Sequence, residues 1–337
     1  MAVNFHSDIE GRRARRWGAW GVRLARPHFQ MKLGFGLPMA GDWATPQNQL
    51  RVARAAEDLG YHSLWVFQRL LYALKPKNDY PPLQGQPWPK SFERVLDPIV
   101  TLTWVAAATQ RVRLGASVLI MPYYTPVLLA KQLATLDLVS NGRLDVGVGL
   151  GWSEDEYDAV NVPYRQRGKR GDEFLRCLKE IWTKDEVEFE GEFYRVPRAK
   201  IEPKPVQKPH PPITVGGYGP VVVKRAVTLG DGFNGGNVPL DRVIPVVREL
   251  HAEAVKVGKD PARLHIVSRG SYVVYDTPQG KDRRPLWGSL DEIRDDIERY
   301  ADAGLTELFL EPNFQPGGAS LDRVLGHMEA LAPRSLR

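Results

Sequence analysis

Short apolar runs alternate along the chain with longer segments whose apolar positions recur every three or four residues. The first pair is an apolar run at 32–37, ended by Pro38, and a segment at 46–59 whose apolar residues share one helical face. Gly60 follows that segment directly, at the point where a helix end in the left-handed conformation favours glycine. This pattern predicts a strand, a turn and a helix in that order.

The same alternation continues to the end of the chain and predicts eight strands, each followed by a helix. The predicted strands cover 32–37, 63–67, 112–119, 144–148, 213–215, 232–234, 264–274 and 308–310. The predicted helices cover 46–59, 97–109, 126–138, 171–182, 221–229, 240–257, 290–303 and 321–331. Repeated alternation of strand and helix indicates a parallel sheet. Eight units over residues 31–337 favour a closed (β/α)8 TIM barrel, and an open, doubly wound sheet is the alternative.

Two stretches lie outside this alternation and predict insertion loops, at 70–92 and at 153–212. The first is rich in proline and aromatic residues, and we expect it to cover the pocket of the barrel. Within the second, residues 186–196 alternate in a two-residue period and predict a hairpin. We expect residues 31–337 to form a single domain and residues 1–30 to form a basic, mobile extension.

The charge of the chain is concentrated near its start. The formal net charge is +6, and residues 1–30 hold six arginines against Asp8 and Glu10, which leaves about +2 for the remaining residues. A basic tail on a nearly neutral fold does not favour a nucleic-acid partner. No run approaches the roughly 18 consecutive apolar residues that a membrane helix needs. We therefore expect neither nucleic acid nor a membrane as a partner.

The single cysteine, Cys177, lies in an apolar segment with helical spacing. One cysteine cannot form a disulfide within the chain, which favours a reducing, cytoplasmic location. Because a buried thiol behaves as a small hydrophobic group, we expect Cys177 to pack within a helix rather than to act as a nucleophile. The seven histidines are scattered and none pairs with another at one-turn spacing, so no metal is expected.

In a barrel of this kind, the loops that follow the strands carry the functional residues. Here they begin at 38, 68–69, 117–121, 149–152, 216–217, 234–237, 268–271 and 311–313. Neither a Gly-x-Ser-x-Gly elbow nor a Gly-x-x-x-x-Gly-Lys-Ser/Thr loop occurs in the chain. Covalent hydrolysis and phosphoryl transfer are therefore not favoured. A site without strong catalytic side chains is typical of a protein whose cofactor supplies the chemistry.

Glycines crowd two of these strand ends. Gly147, Gly149 and Gly151 follow one strand, and Gly216 with Gly217 follows another just before a predicted helix. Glycine lets backbone N–H groups approach an anion at a helix N-terminus, which favours a phosphate-bearing cofactor. Tight turns are the alternative explanation, and the spacing is not the Gly-x-Gly-x-x-Gly of dinucleotide sites.

Aromatic residues gather at the same ends of the predicted strands. Together with Met121 they suit a pocket for a flat ring or a hydrophobic substrate, and ordinary loop packing is the alternative. These residues are Trp43, Tyr80, Trp88, Tyr123, Tyr124 and Trp152.

Several blocks of the sequence, taken in order, resemble the bacterial luciferase-like monooxygenase family, in its actinobacterial branch of coenzyme F420-dependent oxidoreductases. The similarity runs from about residue 32 to 311. The blocks are LGFGLP at 33–38, GYHSLWV at 60–66, RLGASV at 113–118, LAKQLATLD at 129–137, SNGRL at 140–144, GVGLGW at 147–152, PPITVGG at 211–217 and GDGF at 230–233.

The resemblance implies a (β/α)8 barrel, usually a homodimer, that binds a flavin or a deazaflavin at the carboxyl ends of its strands. It also implies a cis, non-proline peptide bond between Ser117 and Val118, which forms a bulge behind the ring of the cofactor. The other implied cofactor contacts are Gly149, Gly151 and Trp152 at the edge of the ring and Gly216 and Gly217 at the phosphate.

The chain departs from the F420-dependent pattern after the second strand, where many members carry Asp-His and this chain carries Gln68-Arg69. A permanently charged guanidinium cannot act as the base that histidine provides at neutral pH. We interpret Gln68 and Arg69 as the candidate catalytic pair, with Arg69 holding a carboxylate or enolate of the substrate or the polar edge of the cofactor. The alternative is a salt bridge at the rim between Arg69 and Glu93 or Asp97.

Our hypothesis is an F420-dependent oxidoreductase that transfers hydride between the deazaflavin and a small, mainly hydrophobic substrate. The similarity also implies, as an indirect partner, an enzyme that reduces F420 or FMN. Trp152 stands where sugar-phosphate dehydrogenases of this family carry an acidic residue, so sugar-phosphate oxidation is not expected. The substrate pocket is predicted to contain Trp43, Tyr80, Met121, Tyr123 and Tyr124.

Two other functions are compatible with the sequence. One is an FMN-dependent monooxygenase on the same barrel, which uses O2 and a separate reductase. The other is a deazaflavin-binding protein without catalysis, a hypothesis motivated by the missing Asp-His. The basic residues Arg165, Arg167, Lys169 and Arg170 would meet the acidic tail of F420, or would form a solvated helix entry.

Overall fold

Three helices of the protein begin with the same capping pattern. The structure is a computed structural model that describes residues 31–333. A side chain accepts a hydrogen bond from a backbone N–H in the first turn, and the residue after it is proline, whose missing N–H would have no helical partner. The capping residues are Thr45, Asp97 and Thr125, each followed by proline. The predicted extension at 1–30 lies outside the described residues.

The predicted alternation of strands and helices is confirmed over the described residues. The strands are β1 (Lys32–Gly36), β2 (Ser63–Val66), β3 (Arg113–Ala116), β4 (Leu119–Ile120), β5 (Leu144–Gly149), β6 (Val187–Glu190), β7 (Arg195–Ala199), β8 (Ile213–Gly216), β9 (Gly232–Gly235), β10 (His265–Ser271), β11 (Val273–Val274), β12 (Trp287–Gly288) and β13 (Glu307–Glu311). The helices are α1 (Pro46–Leu59), α2 (Pro98–Ala106), α3 (Pro126–Val139), α4 (Glu154–Ala159), α5 (Arg167–Thr183), α6 (Pro220–Thr228), α7 (Leu240–Lys256), α8 (Leu290–Asp302) and α9 (Leu321–Ala330).

The sheet closes into a (β/α)8 barrel. Around the ring the order is β1, β2, β3, β5, β8, β9, β10 and β13, and every pairing is parallel. β4 continues β3 as the second half of the same barrel strand and also pairs with β5. Since β13 pairs with β1, the ring has no free edge, and the open-sheet alternative is wrong.

The structure differs from the predicted elements at several points, and the helix predicted at 97–109 ends at Ala106. The strand predicted at 112–119 is interrupted by a cis peptide between Ser117 and Val118. The strand predicted at 264–274 ends at Ser271, because β11 turns away to pair with β12. The short helix α4 was not predicted, and α5 begins at Arg167 rather than at 171. The hairpin at 186–196 is confirmed as the antiparallel pair β6 and β7.

Large side chains fill the interior of the barrel and the layer between barrel and helices. Inside the barrel, Trp65 stacks on Phe309 with ring centroids 5.0 Å apart, and Val267 packs with them. In the outer layer Cys177 is fully buried on α5, and burial raises the pKa of its thiol to about 12. The prediction that this cysteine packs within a helix is therefore confirmed.

A polar cluster lies at the opposite end of the barrel from the carboxyl ends of the strands. The fully buried Glu307 carboxylate accepts hydrogen bonds from the Ser63 hydroxyl, from Trp65 Nε1 at 2.9 Å and from His265 Nε2 at 2.9 Å. Burial alone would raise the pKa of Glu307, but the hydrogen bond and charge of His265 outweigh burial and lower the pKa to about 2. The same contact raises the pKa of His265 against the opposing effect of its burial.

No helix among the described residues combines the length and the apolar character that would let it cross a membrane.

Candidate active site

A cavity of about 390 Å³ opens where the carboxyl ends of the barrel strands meet. This is the end at which the strand order alone predicts a site. Ten of the residues predicted for the site line the cavity, namely Gln68, Arg69, Tyr80, Ser117, Val118, Gly149, Gly151, Trp152, Gly216 and Gly217.

The floor of the cavity is formed around Val118. Its peptide bond with Ser117 is cis, as the family resemblance implies. A Cβ atom placed on Gly149 would lie 2.5 Å from Val118 Cγ2, and one placed on Gly216 would lie 2.8 Å from Val118 Cγ1. Glycine is therefore required at 149 and 216 to leave room for the methyl groups of Val118, a steric reason that the sequence pattern did not reveal.

Hydrogen bonds from three strands hold Ser117 in place. Its N–H donates to the Val66 carbonyl at 2.8 Å, and its hydroxyl donates to Asn234 Oδ1 at 2.8 Å. Its carbonyl accepts a hydrogen bond at 2.6 Å from Arg269 Nη2, which reaches across the mouth of the barrel. The bulge is thus fixed by partners far away in sequence.

Gln68 uses both ends of its amide to organise the wall next to the bulge. Its Oε1 accepts a hydrogen bond from the Ile120 N–H at 2.7 Å, and its Nε2 donates to the Tyr124 hydroxyl at 2.6 Å. Burial is the largest of the effects that raise the pKa of Tyr124 to about 12. Gln68 therefore positions the Ile120 backbone and the Tyr124 side chain at the wall of the cavity.

Arg69 is buried against the cavity wall. Its Nη2 lies 3.2 Å from Glu156 Oε2, and its Nε donates to the Gln68 carbonyl at 2.8 Å. The guanidinium carbon lies 4.5 Å from the ring centroid of Trp152. Nη1 is buried and has no hydrogen-bond partner among the described residues.

The ionic partner of Arg69 is Glu156, so the alternative of a rim salt bridge to Glu93 or Asp97 is wrong. Glu156 is fully buried on α4, where its carboxylate also accepts hydrogen bonds from the Leu70 N–H at 2.7 Å and the Tyr123 hydroxyl at 2.9 Å. Sequence reasoning missed Glu156 because it lies in a segment predicted as an insertion loop.

The loop at 70–92 covers one side of the cavity with apolar and aromatic side chains, as expected. Tyr80 and Trp88 contact Trp152 with ring centroids 5.3 and 4.9 Å apart. Asn78 anchors the loop, since its Nδ2 donates to the Trp152 carbonyl at 2.6 Å and its Oδ1 accepts from the Glu154 N–H at 2.9 Å. The residues of the loop that line the cavity are Tyr80, Pro81, Pro82 and Phe92.

Four residues predicted for the substrate pocket do not line the cavity. Trp43 and Met121 are buried in the core, and Met121 packs beneath α5 near Gly171. Tyr123 and Tyr124 lie one layer behind the wall, where they contact Glu156 and Gln68. For Met121, Tyr123 and Tyr124 the physical reason is the single helical turn at Met121–Tyr123, because the chain there no longer continues the strand into the mouth.

The glycine segment after β8 lies beside an arginine. Gly217 has a φ of +134° and Gly219 a φ of +88°, and α6 begins at Pro220. Arg167 lines the same cavity, and its guanidinium lies over the Tyr164 ring at 3.7 Å. Of the basic residues predicted to meet an acidic tail, only Arg167 lines the cavity; Arg165 and Lys169 are exposed and Arg170 lies over Phe193.

Arg269 lines the cavity but was not among the residues predicted for the site. It lies at the end of β10, a position that the strand order marked without naming a role for it. Its Nε is buried without a hydrogen-bond partner among the described residues. Other omitted lining residues include Phe67, Phe92, Leu150, Tyr218, Asn234 and Phe314.

The charged side chains that line the cavity are all arginines. They are Arg69, Arg167 and Arg269, and no described lining residue is an aspartate or a glutamate. Behind the wall, burial raises the pKa of Glu311 despite the nearby charge of Arg269. Over residues 31–333 no cluster of histidine, cysteine, aspartate or glutamate could hold a metal ion.

The family follows from a comparison of the whole chain. Residues 29–284 match the model of the luciferase-like monooxygenase family. The chain therefore belongs to that family, as its ordered sequence blocks indicated.

Relatives with known names use two different cofactors. An F420-dependent glucose-6-phosphate dehydrogenase of Amycolatopsis mediterranei is 30% identical over 240 residues, 68% of this chain and 67% of that one. An FMNH2-dependent dimethylsulfone monooxygenase of Pseudomonas putida is 36% identical over 155 residues, 45% of this chain and 42% of that one. An uncharacterized protein of Mycobacterium tuberculosis is 33% identical over 243 residues, 69% of this chain and 80% of its own length.

Solved structures share the fold. The monooxygenase RslO1 from Streptomyces bottropensis superimposes with a TM-score of 0.76 at 23% identity, over 90% of this chain and 98% of that one. An F420-dependent secondary alcohol dehydrogenase in complex with an F420–acetone adduct gives a TM-score of 0.72 at 18% identity, over 91% and 99%.

Proposed function

We propose that this protein is an F420-dependent oxidoreductase that transfers hydride between the deazaflavin and a small, mainly hydrophobic substrate. The observation that carries a flat-ring cofactor is the floor of the cavity, where Val118 lies between Gly149 and Gly216. In that position Val118 would support one face of a flat ring and leave the other face open, the role that the family resemblance implies. The choice of F420 over FMN rests on the alignments with the named relatives.

The residues around the cavity fit both ends of the cofactor. Val118 would lie behind the ring, and Gly151 and Trp152 would meet its edge. Gly217, with a positive φ before α6, and Arg167 would hold the phosphate, since the N-terminus of a helix and a guanidinium both favour an anion. The bound deazaflavin would supply hydride chemistry, and the protein would supply orientation and exclusion of water.

The share of this chain that aligns with each named relative favours F420 over FMN as the cofactor. The F420-dependent relative aligns over 68% of this chain, and the FMNH2-dependent relative aligns over 45%. The sugar-phosphate substrate of the first relative is not proposed for this chain, because Trp152 stands where the family resemblance implies an acidic residue in sugar-phosphate dehydrogenases and is packed against Arg69.

The second candidate function is an FMN-dependent monooxygenase. It is favoured by the FMNH2-dependent relative and by the fold of the monooxygenase RslO1. The cavity floor would support either ring, and both cofactors carry a phosphate.

The test is a titration of the purified protein with F420 and, separately, with FMN, followed by tryptophan fluorescence. Because Trp152 lines the cavity, the cofactor that belongs to the site should quench strongly at micromolar concentration. Tight F420 binding with weak FMN binding supports the proposal, and the reverse order supports the monooxygenase. Binding without turnover of any enone, imine or ketone supplied with reduced F420 would leave a binding protein.

We also propose a homodimer and, as an indirect partner, an enzyme that reduces the cofactor. An exposed apolar surface on α2 and α3 supports the first of these. It contains Val100, Trp104, Leu128, Leu138 and Val139, with exposed fractions between 47% and 68%.

A further inference from the structure

The guanidinium of Arg69 has a buried nitrogen that the protein leaves unused. The side chain is 5% exposed, yet Nη1 has no hydrogen-bond partner among the described residues, while Nε donates to the Gln68 carbonyl and Nη2 forms the ion pair with Glu156. A buried donor without a partner is costly, and because Arg69 lines the cavity, a rotation of its guanidinium would bring Nη1 to an acceptor on a ligand.

The same cavity holds a second unused guanidinium donor. Arg269 donates through Nη2 to the Ser117 carbonyl, but its buried Nε has no partner among the described residues. No carboxylate of the described residues lies within ion-pair distance of Arg269. The charged side chains that line the cavity are therefore all cationic, and two of their N–H groups lack an acceptor among the described residues.

Aromatic rings connect the two arginines. The guanidinium carbon of Arg69 lies 5.9 Å from the Phe92 ring, and that of Arg269 lies 5.8 Å from the Phe314 ring. Phe92 and Phe314 are themselves 6.0 Å apart, and Phe67 packs 5.4 Å from Phe314. A ligand that reaches both arginines thus passes along an apolar, aromatic wall.

We propose that the substrate carries a carboxylate on a flat, apolar body, with Arg69 as its anchoring residue through Nη1. This inference rests on the proposed function, which places the cofactor against Val118 and leaves the aromatic wall to the substrate. A charge-assisted hydrogen bond between guanidinium and carboxylate is stronger and more directional than one between neutral groups. Specificity then comes from the carboxylate, because a neutral analogue leaves Nη1 unpaired.

The acceptor for Nη1 has two conceivable sources, a carboxylate of the substrate or a carbonyl oxygen of the cofactor ring. The experiment separates them by measuring binding of benzoate and of its neutral analogue benzamide to the F420-loaded protein. The native protein should bind benzoate about tenfold more tightly than benzamide, the ratio expected for one hydrogen bond to a charged group.

Two variants of the buried Arg69–Glu156 pair should change the ratio of benzoate affinity to benzamide affinity in opposite directions. Glu156→Gln removes the charge that neutralises Arg69, so benzoate should bind several-fold more tightly than to the native protein. The double variant Arg69→Met, Glu156→Gln should lose the preference for benzoate and keep its F420 affinity within about twofold. The double variant avoids a buried Glu156 without a counter-charge, which Arg69→Met alone would create.

Arg167→Met is the matched control, because it removes an arginine from the same cavity on the side of the glycine segment. It should weaken F420 binding and leave the ratio of benzoate to benzamide unchanged. Circular dichroism and thermal melts establish that each variant is folded before binding is compared.

The opposite results would overturn the inference. If the double variant loses F420 affinity and keeps the benzoate preference, the acceptor is the cofactor. Equal binding of benzoate and benzamide to the native protein would also exclude a carboxylate anchor. If neither F420 nor FMN binds, the proposed function fails, and the same ratio measured without cofactor still decides whether Arg69 selects an anion.

Discussion

At the residue scale, the cavity floor depends on the absence of a side chain at Gly149. Val118 Cγ2 occupies the space that a Cβ atom on Gly149 would need, at 2.5 Å from it. The backbone on both sides is held by the barrel pairing of β4 and β5, so neither can move away easily.

Gly149→Ala should therefore shift Val118 and weaken cofactor binding by about tenfold, with a stability loss of about 1–3 kcal/mol from overpacking. Gly326→Ala is the matched control, since it lies in α9 with no atom within 4 Å of its new Cβ and should raise stability by up to about 1 kcal/mol. Fluorescence titration and thermal melts measure the two effects. An unchanged cofactor affinity in Gly149→Ala would show that the bulge does not support the ring.

The Glu307–His265 pair makes stability depend on pH in a defined direction. Because the pKa of Glu307 is lowered to about 2, its contribution is complete above the ordinary value of 4.5 and is lost as the pH falls towards 2. Because the pKa of His265 is raised, its contribution is complete below the ordinary value of 6.5 and is lost as the pH rises through the raised value. The other titratable groups that act on the pair are His62, Asp145, Lys32 and Arg113.

His265→Gln should cost about 3 kcal/mol between pH 5 and 6, and the difference from the native protein should shrink as the pH rises above neutral. Thermal melts from pH 5 to 9 measure this. His251→Gln, at an exposed position of α7, should follow the native curve at every pH. A difference for His265→Gln that is independent of pH would mean that the imidazole is never charged in the folded protein.

At the scale of single elements, the start of α8 shows how local sequence sets a helix end. Ser289 accepts a hydrogen bond from the Glu292 N–H, and the Glu292 carboxylate accepts one from the Ser289 N–H, which forms a capping box. Ser320 precedes α9 in the same way, but its side chain makes no capping hydrogen bond.

Ser289→Ala should destabilise the protein by about 1 kcal/mol, because one N–H of the first turn loses its acceptor. Ser320→Ala should change stability by much less, since no cap is lost. Urea unfolding of both variants gives the comparison. Equal losses of stability in the two variants would show that the capping hydrogen bond of Ser289 does not stabilise the protein.

At the scale of the whole molecule, the exposed apolar surface of α2 and α3 predicts the state of assembly. On α2 Trp104 is 47% exposed and Val100 68% exposed, and on α3, which contacts α2, Leu128 is 52% exposed. Exposed apolar patches of this kind usually mark an interface, and a second copy of the chain is the partner that the family resemblance implies.

Trp104→Glu should convert a homodimer into a monomer, because it would bury a charge at the centre of the interface. Size-exclusion chromatography with light scattering gives the mass of the native protein and of the variant. Val255→Glu, an exposed apolar position on α7, is the control and should leave the mass unchanged. A native protein with the mass of a single chain would exclude the proposed dimer.

The sequence by itself determined the alternation of strands and helices, and with it the barrel and the end that carries the cavity. Periodicity is a local property, and burial of one face of each element imposes it wherever the element lies. The starts of α1, α2 and α3 follow equally from neighbouring residues, since cap and proline act within one turn. Gly149 and Gly216 could also be identified from the sequence, because each follows a predicted strand. Their steric partner, Val118, could not.

The tertiary structure alone decided which side chains meet. Arg69 pairs with Glu156, and Arg269 bonds with Ser117 at a separation of 152 residues. Four residues that follow strand ends in the sequence do not line the cavity, namely Trp43, Met121, Tyr123 and Tyr124. Such contacts depend on how the strands pair around the ring and how the backbone turns after each one. No local pattern of apolar and polar positions contains that information.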